Sequence, residues 1–303
     1  MPEAEAAMPS CSRDMLVFAH ANGFPAPSYR VLLELLGQHY EVRAPDMLGH
    51  APRFPVSDNW PRLLDELSEF VQDQRGGRRV VLVGHSLGGL LGLMLAAAHP
   101  DWLRALVLLD SPLVGGWRAA LLWASKRSGL IWRVAPASLA LRRRRAWPDV
   151  DAVREHLGAK APFAAWDPRM LEDYARAGTV ERDGMRALRF EPEVEASIYA
   201  TLPHHLTRLG LRRAGVPIGF IGGTESRELA MAGMRATRRL VGPHLRWMAG
   251  GSHLFPFEQP QATARTLLEL LHELGAGPRS GEPARSASAQ LPIMPISRSD
   301  TAS

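Results

Sequence analysis

Residues 80–89 read VVLVGHSLGG, and they contain the most informative pattern of the chain. The first half is a β-branched apolar run of the kind that forms a buried parallel strand. It leads into G-x-S-x-G, with Ser86 between Gly84 and Gly88, and an apolar helical pattern follows from Leu87. Glycines let the backbone pass where a Cβ would clash. The segment therefore predicts a nucleophilic serine on a tight strand-to-helix turn.

Strand and helix patterns alternate on both sides of this segment. Such alternation is typical of the α/β class, with a mostly parallel sheet covered by helices on both faces. We expect a sheet of about six strands. The predicted strands cover residues 15–19, 40–44, 79–83, 103–109, 216–221 and 245–248, and the predicted helices cover about 29–36, 60–74, 87–99, 228–240 and 257–274.

Residues 113–212, called the insert below, interrupt this alternation. They show helical spacing and several prolines but no convincing strand, so we predict a helical lid inserted into a core made of residues 14–112 and 213–274. Residues 275–303 are rich in Gly, Pro, Ser and Ala and lack periodicity. We expect them, and residues 1–13, to be flexible tails.

The insert is rich in tryptophan and in positive charge. Between positions 111 and 148 there are eight basic residues and no acid, and five tryptophans follow position 112 within the insert. The favoured interpretation is that the tryptophans pack the lid onto the core while the arginines extend into water. The alternative is a weak interfacial contact of this basic, aromatic surface. The tryptophans are Trp117, Trp123, Trp132, Trp147 and Trp166.

The amino-acid composition and the absence of long apolar stretches exclude several classes of protein. Of the 303 residues 46% are hydrophobic and 22% charged, so global disorder is excluded. The single cysteine, Cys11, rules out an internal disulfide. No stretch approaches the roughly 20 apolar residues of a membrane span, and the first residues do not resemble a signal peptide. We expect a cytoplasmic protein that binds no nucleic acid, and its oligomeric state is left open.

The base that Ser86 needs is predicted to be His253. It lies in a Gly-rich loop after the last strand, and loops at the carboxyl ends of parallel strands line the ligand crevice. The base in turn needs a carboxylate that fixes its tautomer. Glu225, just after strand 216–221, is the first candidate. Asp110, at the end of strand 103–109, is the alternative, and Glu228 is a third.

An acyl-transfer site also needs N–H donors for the oxyanion. One is expected from Leu87, directly after the nucleophile, and the second from the loop after the first strand. In that loop, HANGFP at residues 20–25, we predict Phe24 as the second donor. His20 is expected to brace the loop rather than to act as a base.

Five segments together resemble the α/β-hydrolase superfamily over about residues 14–272. They are HANGFP (20–25), RAPDMLGH (43–50), GHSLGG (84–89), FIGGTES (220–226) and GGSHLFPFEQP (250–260). The resemblance implies a triad in the order serine, acid, histidine, and a cap after the strand that follows the nucleophile helix. A serine at position 86 argues against epoxide hydrolases and haloalkane dehalogenases, which need an aspartate there.

These features predict a carboxylic ester hydrolase that works through an acyl-enzyme. Its substrate would be a small ester or acyl compound, and the mechanism needs no metal or organic cofactor. The same triad could instead cleave a C–C bond, a thioester or a lactone, or act as a lyase, since fold does not determine function. A non-enzymatic ligand-binding protein that has kept the pocket is a further alternative.

Overall fold

The structure is a computed structural model that describes residues 13–212, 214–278 and 293–294. The described strands are β1 (Met15–Ala19), β2 (Glu41–Pro45), β3 (Val80–His85), β4 (Leu103–Leu109), β5 (Ala146–Trp147), β6 (Thr179–Arg182), β7 (Met185–Leu188), β8 (Ile218–Gly223), β9 (Leu245–Met248) and β10 (Ile293–Met294). The central sheet contains six parallel strands, the number that the sequence predicts, and their order is β2-β1-β3-β4-β8-β9.

A short seventh strand extends this sheet at one edge. In β10, Ile293 lies opposite Ala44 and Met294 opposite Pro45, and the two strands are parallel. These two residues belong to the predicted flexible tail, so the prediction is wrong for them. Residues 1–12, 279–292 and 295–303 lie outside the described residues, and the expectation of flexible tails stays a prediction there.

Helices cover both faces of the sheet because alternate side chains of each strand point to opposite sides. Leu16 and Phe18 of β1 belong to one buried cluster, and Met15 and Val17 belong to the other. The helices are α1 (Arg30–Gly37), α2 (Pro61–Arg75), α3 (Leu87–Ala98), α4 (Trp117–Arg127), α5 (Ala137–Ala140), α6 (Val150–Gly158), α7 (Ala161–Ala164), α8 (Pro168–Ala177), α9 (Pro192–Ala200), α10 (Arg227–Ala232), α11 (Arg235–Val241), α12 (Phe255–Glu258) and α13 (Pro260–Glu273).

The two clusters assign the helices to faces. α1 and α13 pack on the side of Leu16, whereas α2 and α3 pack on the side of Met15. Two predicted helices are interrupted: α10 and α11 are separated at Gly233, whose φ is 74°, and α12 ends before Pro260 begins α13. Among the described residues, none of the helices is both long and apolar enough to cross a bilayer.

The insert is not purely helical, which corrects the prediction. β5, β7 and β6 form a three-stranded antiparallel sheet in that order. β6 and β7 are joined by Asp183 and Gly184, both with positive φ (53° and 71°), which is the geometry of a two-residue hairpin turn. The Asp-Gly pair is therefore a local hairpin signal that does not depend on apolar periodicity.

The tryptophans of the insert fall into two groups. Trp147 and Trp166 are buried, as the packing interpretation predicts. Trp117, Trp123 and Trp132 are 67%, 51% and 42% exposed. The interpretation that the tryptophans pack the lid onto the core is thus wrong for these three side chains.

Candidate active site

Ser86 stands on a sharply bent turn between β3 and α3. Its φ and ψ are 52° and −110°, a conformation that L-residues rarely adopt. A Cβ added to Gly84 would lie 2.4 Å from the carbonyl carbon of Gly88, and one added to Gly88 would lie 2.1 Å from the oxygen of Ala19. Glycine is therefore required on both sides of Ser86, which explains the G-x-S-x-G spacing.

His253 lies beside this serine, on the loop between β9 and α12. Its Nε2 is 3.1 Å from the Oγ of Ser86, within hydrogen-bond distance. The loop is held by Glu258, whose carboxylate accepts hydrogen bonds from the backbone N–H and the hydroxyl of Ser252. The structure thus brings together the two residues that the sequence predicts as nucleophile and base.

Asp110 is the carboxylate that contacts His253. Its Oδ2 lies 2.7 Å from Nδ1 of the histidine. Asp110 is fully buried at the end of β4, with a φ of 45°. The backbone N–H of Gly223 donates to Oδ1 at 2.9 Å, and the hydroxyl of Ser226 donates to Oδ2 at 2.5 Å. Three donors therefore converge on this one carboxylate. One belongs to the loop between β9 and α12, called the histidine loop below, and two belong to the end of β8 and the residues after it.

Glu225, the first candidate for this place, does not reach it, which corrects the prediction. β8 extends to Gly223, so Glu225 lies two residues beyond the strand, where its side chain is exposed. Its backbone N–H donates to the carbonyl of Gly251 and so braces the histidine loop. Among the described residues, the alternative acid Asp110 is the one hydrogen-bonded to His253.

Glu228 is a second carboxylate near the histidine. Its Oε2 lies 4.0 Å from Nδ1 of His253, beyond hydrogen-bond distance. Asp110, Glu228 and His253 are the described residues that could together hold a metal ion, with ligand atoms within 4.8 Å of one another. A metal there would take the Nδ1 that Asp110 already engages, so the geometry fits an oriented imidazole better than a metal centre.

The surroundings of His253 favour its charged form. Burial lowers the pKa of the imidazole, but the hydrogen bond and the negative charge of Asp110, with smaller contributions from Glu228 and Glu258, more than offset this and raise the pKa above its usual value. The site can therefore accept and hold a proton on His253. That is the property required of a general base that must also act as an acid.

The two predicted oxyanion donors differ in the structure. Leu87 is the first residue of α3, and the N-terminus of a helix favours negative charge. The N–H of Phe24 donates to the carbonyl of Ala21 at 3.1 Å within its own turn. Phe24 can act as the second donor only if that N–H is shared between Ala21 and the oxyanion.

Comparison with known proteins identifies the family. Residues 16–266 match the profile of the alpha/beta hydrolase family. The chain is a member of the alpha/beta hydrolase family. Lipase LipV of Mycobacterium tuberculosis is 45% identical over 71 residues, which are 23% of this chain and 26% of the lipase. A 2-hydroxy-6-oxo-6-(2'-aminophenyl)hexa-2,4-dienoic acid hydrolase of Metapseudomonas resinovorans is 31% identical over 101 residues, 32% of this chain and 35% of that protein.

Solved structures show the same fold. The peroxisomal alpha-beta-hydrolase Lpx1 from Saccharomyces cerevisiae matches with a TM-score of 0.66 at 15% identity, over 94% of this chain and 81% of its own. E-2-(acetamidomethylene)succinate hydrolase matches with a TM-score of 0.64 at 21% identity, over 86% and 91%. By contrast, the sequence matches above span only about a quarter to a third of the curated relatives, so their activities do not transfer directly.

His20 braces the loop of residues 20–25 of this alpha/beta hydrolase, as the sequence predicts. We call it the oxyanion loop because it carries the predicted second oxyanion donor, Phe24. Its Nδ1 lies 2.8 Å from the carbonyl of Ala21, and its Nε2 accepts a hydrogen bond from the N–H of Leu48 at 2.7 Å. Burial lowers the pKa of His20 to about 4. The ring is therefore neutral near pH 7 with both nitrogens engaged, and it is not free to act as a base.

A buried series of hydrogen bonds surrounds His85, and the sequence does not predict it. The hydroxyl of Tyr29 lies 2.7 Å from Nδ1 of His85, and Nε2 of His85 lies 2.9 Å from the backbone oxygen of His253. The N–H of Ala21 donates to the same Tyr29 hydroxyl. Burial holds the pKa of His85 well below its usual range, so the ring is neutral and donates to His253. These hydrogen bonds link the oxyanion loop to the histidine loop.

The insert contacts the oxyanion loop directly. Tyr174 donates its hydroxyl hydrogen to the carbonyl of Gly23, and the side chain of Asn22 donates to the backbone oxygen of Glu195, each at 3.0 Å. Arg143 pairs with the carboxylate of Glu195 at 2.5 Å and also donates to the hydroxyl of Tyr174. The position of the insert and the shape of the oxyanion loop are therefore coupled.

Proposed function

We propose that this alpha/beta hydrolase cleaves carboxylic esters through an acyl-enzyme formed on Ser86. The observation that carries the proposal is the continuous contact from Ser86 Oγ to His253 Nε2 at 3.1 Å and from His253 Nδ1 to Asp110 at 2.7 Å, on a turn that only glycines permit. Nucleophile, base and orienting acid in this geometry are the requirements of acyl transfer.

In the first half of the reaction, Ser86 Oγ attacks the ester carbonyl carbon while His253 Nε2 takes its proton. Asp110 holds the imidazole with its hydrogen on Nδ1 and stabilises the imidazolium that forms. The imidazolium then donates the proton to the leaving alcohol, and the acyl group stays on Ser86. Because Asp110 is fully buried, little water competes for this hydrogen bond.

In the second half, water attacks the acyl carbonyl carbon while His253 Nε2 takes its proton. The bond from that carbon to Ser86 Oγ then breaks, the imidazolium returns the proton to Ser86 Oγ, and the carboxylic acid leaves. The carbonyl oxygen is negative in both tetrahedral intermediates. We assign its stabilisation to the N–H of Leu87 at the start of α3. The proposed second donor is the N–H of Phe24, which the oxyanion would share with the carbonyl of Ala21. One such donor is typically worth about 3 kcal/mol of barrier.

The decisive experiment is covalent labelling with a fluorophosphonate, followed by hydrolysis of p-nitrophenyl esters of graded acyl length. The wild type should incorporate one label and turn over at least one ester. Ser86→Ala should lose the label and about 10⁶-fold of kcat. Ser128→Ala, at an exposed position after α4 of the insert, is the matched control and should retain both. An adduct that persists in Ser86→Ala would refute the proposal.

C–C bond cleavage is the second reaction to test, because one of the similar sequences is a hydrolase named for a 2-hydroxy-6-oxo-dienoic acid. Retained labelling of Ser86 together with no turnover of simple esters would favour it. If a biological effect of the protein survives Ser86→Ala, the fold serves as a ligand-binding module instead.

A further inference from the structure

A groove of about 1000 Å³ lies where the two ends of the insert meet α11. None of the triad residues lines it, and none of the described residues that do so is acidic. Five arginines from three separate segments border the groove, together with apolar side chains such as Leu206 and Met234. The arginines are Arg118, Arg208, Arg212, Arg235 and Arg239.

These five guanidinium groups lack ion-pair partners within the described part of the chain. Many arginines elsewhere are paired: Arg53, for example, binds Glu69 through two hydrogen bonds. Five cations around one groove repel one another and create a positive potential. An anionic group placed there would relieve that repulsion.

A segment with many exposed apolar side chains adjoins the groove through Trp117, and we call these side chains the apolar patch. Of the twelve large hydrophobic side chains that are exposed among the described residues, eight fall within residues 117–141. Trp117 and the neighbouring Arg118, whose guanidinium lies 4.6 Å from the Trp117 ring centre, line the groove as well. The patch consists of Trp117, Leu121, Trp123, Leu130, Trp132, Val134, Leu139 and Leu141.

We propose that the groove and the apolar patch together form a docking surface for an anionic phospholipid bilayer. Tryptophan and leucine side chains enter the boundary between headgroups and acyl chains, while arginines attract the phosphates of anionic lipids. A nucleic acid would use the arginines but would leave the exposed leucines in water. An acidic protein would normally meet a rim of mixed charge, whereas residues 111–148 contain no acid.

The proposal does not depend on the reaction at Ser86, and its test is a binding measurement. Purified protein is sedimented with vesicles of phosphatidylcholine alone, or of phosphatidylcholine with about one-third phosphatidylglycerol. We expect binding to the anionic vesicles, weaker binding to the neutral ones, and a decrease as salt is raised. Tryptophan emission should shift to the blue when the anionic vesicles are added.

Two double variants distinguish the contribution of the groove to vesicle binding from the contribution of net charge. Arg235→Gln with Arg239→Gln should weaken binding to anionic vesicles about 25-fold, because each basic residue at such a surface contributes about fivefold. Arg182→Gln with Arg265→Gln removes the same charge at exposed sites elsewhere and should stay within about twofold. Trp123→Ala with Trp132→Ala should abolish most of the blue shift while the unfolding midpoint is retained.

Several results would overturn the proposal. Equal sedimentation with the two kinds of vesicle, or no sedimentation, would exclude an anionic bilayer as the partner. An equal loss in both arginine pairs would show that net charge, not the groove, is responsible. Displacement from the vesicles by millimolar inorganic phosphate would indicate a small-anion site. The same variant dependence on duplex DNA or on an acidic protein, without vesicle binding, would identify a different partner.

Discussion

The loops after β4 and β8 both carry an acidic residue at the same edge of the sheet, but their side chains lie in opposite environments. Asp110 follows β4 directly, is fully buried and contacts His253 at 2.7 Å. Glu225 follows β8 two residues later and is exposed. Strand order predicts which loops surround the nucleophile. It does not predict which carboxylate turns inward.

What separates the two loops is local backbone geometry and the supply of donors. The positive φ of Asp110 turns its side chain under His253. There, Gly223 and Ser226, from the end of β8 and the residues after it, donate to its two oxygens. The loop after β8 thus contributes the support for an acid that belongs to the loop after β4. A buried carboxylate is stable only with such partners.

Among the variants of these two loops, Asp110→Asn is expected to have the largest effect. An amide cannot stabilise the imidazolium and favours the wrong tautomer of His253, so kcat should fall about 10⁴-fold. The measurement is kcat on the most reactive p-nitrophenyl ester, with circular dichroism to confirm folding. A loss below about tenfold would show that Asp110 is not the orienting acid.

Ser226→Ala tests the support that the β8 loop gives to Asp110. The change removes the hydroxyl donor to Asp110 and the N-cap of α10, where the same oxygen accepts from the N–H of Leu229 at 3.2 Å. We expect about a tenfold loss of kcat and about 1 kcal/mol of stability. Ser226→Thr keeps the hydroxyl and should restore most of both. If Thr is as poor as Ala in urea unfolding and kcat, packing rather than the hydroxyl is responsible.

Glu228→Gln tests the longer-range charge near His253. The base works in its neutral form, so activity should rise with pH through the raised pKa of His253, above 6.5. Removing the negative charge of Glu228 lowers that pKa, so the acid limb of the kcat/KM profile should move to lower pH while the plateau stays. A shift toward higher pH would contradict the assigned electrostatics.

The smallest effect is expected for Glu225→Gln. Its side chain is exposed, and its backbone N–H, which braces Gly251, is unchanged by the substitution. Both kcat and the pH profile should therefore match the wild type within about twofold. A loss on the scale expected for Asp110→Asn would show that Glu225 is the catalytic acid, and the comparison of the two loops would be reversed.

Much of the fold and part of the site could be predicted because they depend on local patterns. The six parallel strands follow from apolar runs separated by helices, and Ser86 follows from glycines that steric contact requires. The prediction of His253 follows from its position in the loop after the last strand, downstream of Ser86. The choice of Asp110 depends on a positive φ at a non-glycine residue, which has no sequence signature, and on donors more than a hundred positions away.

In the insert, by contrast, a feature that has a local sequence signal was not predicted. Its hairpin does have a local signal, the Asp-Gly pair at 183 and 184. The flanking strands, however, are short and almost entirely exposed or half-buried, so apolar periodicity could not reveal them. Composition cannot distinguish a tryptophan that packs, such as Trp166, from one that faces water, such as Trp117, so the sequence predicts one role for all five.

His85 occupies the first variable position of G-x-S-x-G, which motif searches treat as a wildcard. In this chain the residue there carries a hydrogen-bonded connection from Tyr29 to the backbone of His253. A related sequence with valine at this position would score as an equally good match, yet its histidine loop would need another anchor. Conservation at positions 29, 85 and 253 should therefore be examined jointly: we expect relatives to keep or lose the tyrosine and the first histidine as a pair.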